Sequence, residues 1–272
     1  MPELPEVETV RRGLEPWVVG KKIKEIEVVH RGGNRSTSYA PFSAVEGAKI
    51  VEIARRGKFL WFELDRDQAL VAHLGMSGQF LIHEKNRPEA KHVRAKFELS
   101  KNIRKKELVF NDQRTFGWVS VEEITGGIPS SAQHIAKDPF DPSFDREETI
   151  NKFAKRNIKI KTALLNQEIM SGVGNIYADE TLWRAKVHPE ISTADLTKKK
   201  IASIIDLATE VMQEAIAKGG TSFDDLYIKV IDGGDHAKVL ADVIPRFDTM
   251  HSAIFITNQS PHSAFFGQRS DH

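Results

Sequence analysis

The chain has 272 residues, a length that favours two domains. Hydrophobic residues make up 40% and charged residues 28% of it, which excludes collagen-like and wholly disordered chains. There is no cysteine, so disulfides, a thiolate nucleophile and cysteine-based metal sites are excluded. The N-terminal segment lacks the apolar core of a signal peptide, and no apolar run reaches membrane-spanning length. We therefore expect a cytoplasmic protein.

The charge is unevenly distributed, although the net charge is only +1. Residues 223–272 hold four basic and seven acidic residues, a net charge of −3, so that residues 1–222 carry +4. The positive charge therefore belongs to the body of the protein, where it would favour a polyanionic partner.

The first 120 residues are predicted to be mainly β-structure after one initial helix. Leu4, Val7, Val10 and Leu14 recur near helical spacing and predict that helix. Short runs rich in β-branched and aromatic residues follow, separated by turn formers, and are typical of a sandwich or barrel. The predicted strands cover residues 22–29, 50–53, 59–64, 70–73, 80–83, 95–99, 107–110 and 117–121.

Helical periodicity replaces this pattern in the second half. Glycine, proline and serine cluster at 125–131, which predicts a linker. An apolar stripe from Leu196 to Ile216 predicts a helix that ends at Gly219 and Gly220. We predict an α+β protein with a β-sandwich domain at 1–124, the linker, a helical domain at 132–222, and a loop with a β-hairpin at 223–272.

The N-terminus carries one possible nucleophile. A small residue such as Pro2 normally permits removal of the initiator methionine, which leaves a secondary amine. An α-amino group has a pKa of about 7.7 to 8.0, so part of it is unprotonated near neutrality and can attack a sugar carbon to give an iminium. Glu3 is a candidate proton donor beside it. Taken singly, such residues are more often a processed end and a solvated helix-start charge than catalytic groups.

Several motifs then occur in one order. They are PELPEVE at 2–8, RRGK at 55–58, HLGMSG at 73–78, NDQRTFG at 111–117, SGVGNIYADE at 171–180 and GQRS at 267–270. Together they resemble the formamidopyrimidine-DNA glycosylase family, whose members are bifunctional glycosylase/lyases that remove oxidised purines. The resemblance runs from residue 2 to about residue 222 and resumes weakly at the end.

The resemblance implies a catalytic set and a set that fills the DNA stack. Pro2 would be the Schiff-base nucleophile, Glu3 the acid/base partner, and Lys58 and Arg269 cations that assist elimination. The residues that would fill the space left by the extruded nucleotide are Met76, Arg114 and Phe116. Thr115 departs from the family, which usually has a second arginine there.

The resemblance also implies a grip on the DNA backbone, which positions a protein on the duplex. His92 and Arg156 match two DNA-contact positions of the family. Lys161 and Asn175 match phosphate-contact positions in its helix-two-turn-helix element. Tight glycine turns such as 172–175 also present backbone N–H groups that can bind phosphate oxygens.

The family normally ends in a four-cysteine zinc finger, and the absence of cysteine implies a zincless β-hairpin finger instead. His251, His262 and His272 have spacings that match no standard zinc site, so we expect no metal and no other cofactor. The implied partner is duplex DNA with damaged bases or abasic sites, bound by a monomer and, in a prokaryote, in the nucleoid.

The implied activity is excision of 8-oxoguanine and formamidopyrimidines, followed by β- and δ-elimination at the abasic site. Two alternatives stay open at this point: a glycosylase/lyase with shifted lesion specificity, and a catalytically weakened paralogue that only binds damaged DNA.

Overall fold

A computed structural model describes residues 2–29, 41–84, 91–100 and 106–220. The predicted finger at 223–272, with Arg269, lies outside this part of the chain. The first element is helix α1, Leu4–Val18, and the β-structure follows it directly. Within the described ranges, no helix is both long enough and apolar enough to cross a membrane.

The strands form two antiparallel sheets packed face to face, as predicted for a sandwich. One sheet has the order β1-β6-β7-β5 and the other β2-β3-β4-β8-β9. Alternate apolar side chains from both sheets meet in a buried core that includes Phe62, Phe80, Phe97 and Phe110. The strands are β1 Ile23–Val28, β2 Ile50–Arg56, β3 Phe59–Leu64, β4 Gln68–His73, β5 Gly78–Glu84, β6 Val93–Leu99, β7 Lys106–Asp112, β8 Trp118–Thr125 and β9 Ile128–Pro129.

The segment predicted as a linker contains ordered β-structure. Gly126 and Gly127, both with positive φ, turn the chain from β8 into β9, and Ile128 pairs with Thr125. A short 3-10 helix, Ser130–Ala132, follows. Residues 125–131 therefore extend the edge of the five-stranded sheet, because a glycine pair suits a tight hairpin as well as it suits a flexible connection.

The remaining described residues form helices α2 Arg146–Ala154, α3 Ile160–Leu165, α4 Asn175–Ala185 and α5 Lys198–Ala217. Side chains cap two of them, since Asp145 accepts a hydrogen bond from the Glu148 amide and Thr197 accepts one from the Lys200 amide. Helix α5 ends where predicted, with Gly219 at φ +82°. Helices α3 and α4 and the turn between them form the predicted helix-two-turn-helix element.

Helix α1 contributes to both apolar cores. Leu4 packs in the core of the helical part, whereas Val7, Val10 and Leu14 pack in the core of the sandwich. The residues that precede α1 are therefore held at the junction of the two parts of the fold.

Candidate active site

The carboxylate of Glu3 lies on the N-terminus of helix α4. It accepts hydrogen bonds from the backbone amides of Gly174 at 2.5 Å, Ile176 at 2.9 Å and Tyr177 at 3.4 Å. The partial positive charge of a helix N-terminus stabilises an anion in this position. The amides of this glycine turn, predicted to bind DNA phosphate, instead bind the Glu3 carboxylate.

The contact depends on glycine at two positions of the turn. A Cβ atom at Gly174 would lie 2.3 Å from the Glu3 carboxyl carbon, and one at Gly172 would lie 2.4 Å from a methyl carbon of Leu4. The amide of Leu4 donates to the Gly172 carbonyl at 3.0 Å. The start of α1 and the glycine turn therefore approach more closely than any side chain between them would allow.

Burial sets the protonation of this site. Only 2% of Glu3 is exposed, and burial raises the pKa of its carboxyl to about 7, against the lowering effects of the Lys58 charge and of the amide hydrogen bonds. Burial also lowers the pKa of the Lys58 ammonium, while the charges of Glu3 and Glu6 raise it. Near neutrality, Glu3 can therefore both donate and accept a proton.

Lys58 lies in the turn between β2 and β3, which a buried ion network holds in place. Arg55 donates to Glu8 on α1 at 3.1 Å and to Asp138 at 2.9 Å. Asp138 in turn accepts from the Gly57 amide at 3.0 Å, and the Gly57 carbonyl accepts from Arg55 at 3.1 Å. Both peptide groups of Gly57, the residue before Lys58, are thereby tied to side chains that are almost fully buried.

The same turn packs against the loop that precedes α4. A Cβ atom at Gly57 would lie 2.8 Å from the side chain of Ser171. Pro2 is buried and precedes Glu3, the N-cap of α1. Lys58, which is distant in the sequence, is thus brought close enough to Glu3 for their charges to interact, whereas Arg269 lies outside the described residues.

A second group of predicted residues lies on two adjoining loops of the sandwich. Met76 belongs to the loop after β4, while Arg114 and Phe116 belong to the loop after β7. A guanidinium nitrogen of Arg114 lies 3.9 Å from the Met76 sulfur. Met76 is 38% and Phe116 61% exposed. These apolar side chains face solvent and are not part of the sandwich core.

Asp112 joins the two loops. Its carboxylate accepts hydrogen bonds from the Gly117 amide at 2.7 Å and the Arg114 amide at 3.2 Å, and from the hydroxyl of Ser77. The Ser77 hydroxyl also accepts from the Arg114 amide at 2.9 Å. One fully buried carboxylate therefore fixes the backbone on which the exposed side chains stand.

The four predicted backbone-contact residues have different environments. His92 is half-buried in the turn before β6, Arg156 is exposed after α2, and Asn175 is exposed as the first residue of α4. Lys161 on α3 is already paired, with its ammonium 2.6 Å from a carboxylate oxygen of Asp179.

Sequence reasoning missed the residues that support these groups: Glu6, Asp112, Asp138, Tyr177 and Asp179. Glu6 had a readable signal, because Glu3 and Glu6 have the spacing of a capping box, and the Glu3 amide does donate to Glu6 at 2.9 Å. Asp112 binds amides within its own loop as well as the distant Ser77, and the contacts of Asp138, Tyr177 and Asp179 join residues that are distant in the sequence, which one sequence does not reveal.

The zinc of a four-cysteine finger does not fit this chain, since the sequence contains no cysteine. Among the residues that the structure describes, no group of three or more histidine, aspartate or glutamate side chains is placed to hold a metal ion.

Comparison with known proteins identifies the family. Residues 1–119 match the model of the formamidopyrimidine-DNA glycosylase N-terminal domain, and residues 135–226 match the model of the formamidopyrimidine-DNA glycosylase H2TH domain. The formamidopyrimidine-DNA glycosylase of Thermobifida fusca is 45% identical over 243 residues, covering 85% of this chain and 82% of that protein.

Solved structures of DNA complexes from the same family are similar to this chain. The Lactococcus lactis formamidopyrimidine-DNA glycosylase, bound noncovalently to DNA containing an AP site, matches with a TM-score of 0.69 at 35% identity, over 80% of this chain and 83% of that chain. A MutM complex with DNA containing carbocyclic 8-oxo-G matches with a TM-score of 0.71 at 35% identity, over 83% of each chain. The chain belongs to the formamidopyrimidine-DNA glycosylase family.

Proposed function

We propose that this protein is a DNA glycosylase and AP lyase that excises oxidised purines from duplex DNA, with Pro2, Glu3 and Lys58 at the reacting centre. The observation that carries the proposal is the buried Glu3 carboxyl on the amides of α4, with its pKa raised to about 7 beside Lys58. A purely structural protein or a passive DNA binder has no need of this arrangement.

The first step would be attack on the sugar. Once Met1 is removed, the unprotonated amine of Pro2 forms a bond to C1′, and the glycosidic bond to the base breaks. The bond from C1′ to the ring oxygen breaks as well, so two atoms need a proton. Glu3, half protonated near pH 7, supplies one of these protons, to the leaving base or to the ring oxygen, and the proton that the amine loses goes to the other. The result is a free base and an iminium between Pro2 and the opened sugar.

The iminium then supports elimination. It acidifies the neighbouring C2′ position, so loss of a proton there expels the 3′ phosphate, and a second elimination expels the 5′ phosphate. A cation at Lys58 would stabilise the phosphate oxygens as they leave. Arg269 is assigned by the resemblance to the same task.

Met76, Arg114 and Phe116 would act on the duplex and not on the sugar. Their exposure on anchored loops supports insertion into the stack, because the rigid backbone around Asp112 fixes where they point. Two structural relatives are complexes with DNA that contains an AP site or carbocyclic 8-oxo-G, which supports substrates of the same kind for this protein. We infer that no metal takes part in the reaction. We also infer that the protein works in the cytoplasm and, in a prokaryote, on the DNA of the nucleoid.

Borohydride trapping tests the proposal directly, because it reduces the iminium to a stable covalent adduct. Protein with a confirmed free Pro2 amine is incubated with duplexes containing 8-oxoguanine opposite cytosine or an abasic site. We expect an adduct on both duplexes with wild type. Pro2→Gly and Glu3→Gln should each excise 8-oxoguanine much more slowly than wild type and therefore give little adduct on that duplex. Glu15→Gln, an exposed change on the same helix, should trap as wild type does.

The two alternatives give different results. Trapping on the abasic duplex alone indicates a lyase with shifted lesion specificity. Tight binding to both duplexes with no adduct on either identifies a binding paralogue and refutes the catalytic proposal.

A further inference from the structure

Tyr177 contacts both carboxylates at the N-terminus of the chain. It is fully buried in the first turn of α4. Its hydroxyl donates to a carboxylate oxygen of Glu6 at 2.6 Å, a separation typical of a charge-assisted hydrogen bond. Its backbone amide donates to Glu3 at 3.4 Å. The side chain and the backbone of one residue thus bind two different acids.

Glu6 links Tyr177 to the backbone next to the proposed nucleophile. Its second carboxylate oxygen accepts from the Glu3 amide at 2.9 Å. That amide belongs to the peptide group that joins Pro2 to Glu3, and a peptide group is planar. A fixed Glu3 amide therefore fixes the plane from which the Pro2 ring projects.

We infer that Tyr177 is a positioning residue, which acts through Glu6 to orient the Pro2–Glu3 peptide and thereby the attacking amine. This inference rests on the proposed function. Any buried tyrosine hydroxyl requires a hydrogen-bond partner, and a main-chain carbonyl would satisfy it at lower cost than a carboxylate. Here the partner is a buried acid that is bonded to the nucleophile's own peptide group.

The Glu6 carboxylate also affects the site electrostatically. Its charge raises the pKa of the Glu3 carboxyl and that of the Lys58 ammonium. If Tyr177 no longer restrains Glu6, the carboxylate can turn away, and both pKa values should fall. A positioning role therefore predicts a change in the pH profile that a general loss of packing would not produce.

The test compares Tyr177→Phe with Thr181→Val. Thr181 lies one turn further along α4, is fully buried, and has a hydroxyl without a hydrogen-bond partner among the described residues. Both changes remove one buried hydroxyl from the same helix. The readouts are the single-turnover excision rate and borohydride trapping across pH, duplex affinity, and the thermal unfolding midpoint.

We expect Tyr177→Phe to slow excision at least about tenfold and to shift the pH profile to lower pH, with duplex affinity within about twofold of wild type. Thr181→Val should match wild type in rate and in pH profile. Combining Tyr177→Phe with Glu6→Gln should slow excision no further than Glu6→Gln alone, because both act through one contact.

Wild-type rate and pH profile in Tyr177→Phe would overturn the inference, as would rate losses that multiply in the double variant. If Tyr177→Phe does not fold, Glu6→Gln alone decides: an unchanged rate and pH profile overturns the inference, and the predicted shift supports it. A wild-type protein that forms no adduct would instead refute the proposed function, so the two failures are distinguishable.

Discussion

The ammonium of Lys161 lies 2.6 Å from the carboxylate of Asp179, so the lysine expected to bind a DNA phosphate is already bound to an acid. The neighbouring basic residue Lys159 is likewise paired with Glu190. Part of the positive charge that the sequence places on this element is thus neutralised within the protein. A phosphate at Lys161 therefore competes with the carboxylate for the ammonium.

Removing this competition should tighten DNA binding. Partly exposed ion pairs contribute about 0.2 to 1 kcal/mol, so Asp179→Asn is expected to raise affinity for undamaged duplex about two- to fivefold. The plot of log affinity against log salt should steepen by up to about 0.9 if Lys161 gains a phosphate contact. Fluorescence anisotropy across a salt series measures both.

The control is Asp206→Asn, which removes the same charge from an exposed pair with Arg146. It should leave affinity nearly unchanged. An equal gain in both variants, or a gain that persists in a Lys161→Ala background, would show that overall charge and not this pair is responsible.

Gly174→Ala tests the contact between Glu3 and α4. The backbone at Gly174, with φ −124° and ψ −162°, is accessible to alanine, so the only obstacle is the Cβ atom 2.3 Å from the Glu3 carboxyl carbon. We expect excision to fall at least about tenfold and stability to fall by about 1 to 3 kcal/mol. Gly127→Ala, which has a positive φ but open space around it, should cost stability without loss of excision beyond the unfolded fraction.

The raised pKa of Glu3 predicts a pH-dependent stability. The folded state favours the protonated carboxyl, so its contribution is fully present below the unfolded pKa of 4.5 and is lost as pH rises through about 7. Across that window, the unfolding free energy of wild type should fall by about 3 kcal/mol relative to Glu3→Gln. Denaturant titrations at a series of pH values measure the difference, and parallel curves for the two proteins would contradict the shift.

The exposed loop residues should separate activity from stability. Met76→Ala and Phe116→Ala remove side chains that face solvent, so each should change stability by less than about 0.5 kcal/mol. Excision from duplex should nevertheless fall at least about tenfold in each variant, because the space left by the extruded nucleotide is then only partly filled. Val51→Ala, at a position 44% exposed on β2, removes comparable apolar surface and should affect neither property. Undiminished excision by both loop variants would contradict the void-filling role.

Metal chelation should leave the activity unchanged, because no cysteine is present to hold a zinc ion. Excision measured before and after exhaustive dialysis against a chelator checks this, with a four-cysteine family member as the positive control. Loss of activity restored by zinc would show that other residues bind the metal.

Much of the fold could be predicted from the sequence, because helices and strands follow from the spacing of apolar residues and from the positions of turn formers. Each strand predicted between residues 22 and 121 is present, with bounds that differ by a few residues, and the helix before Lys22 and the end of α5 at Gly219 are where periodicity and glycine indicate. Strand β9 was missed because two residues are too few for a period-two pattern.

The residues of the candidate site could be predicted from the sequence, but the contacts between them could not. The motifs lead to the prediction of Pro2, Glu3 and Lys58 as site residues, but they do not reveal that Glu3 binds the amides expected to bind phosphate. That outcome depends on how α1 docks against α4, a contact between residues 171 positions apart. Asp179 was missed for the related reason that charge counts do not reveal which acid faces which lysine.

Because α1 packs in both apolar cores, the proposed catalytic arrangement forms only when both cores are folded and in contact. Leu4 is buried with the helices, while Val7 and Val10 are buried with the sheets. Separation of these halves would withdraw the Glu3 carboxylate from its amides, and with it the proton that the proposed reaction uses to expel a base. A molecule whose two cores had separated would keep its nucleophile but lose the acid held beside it.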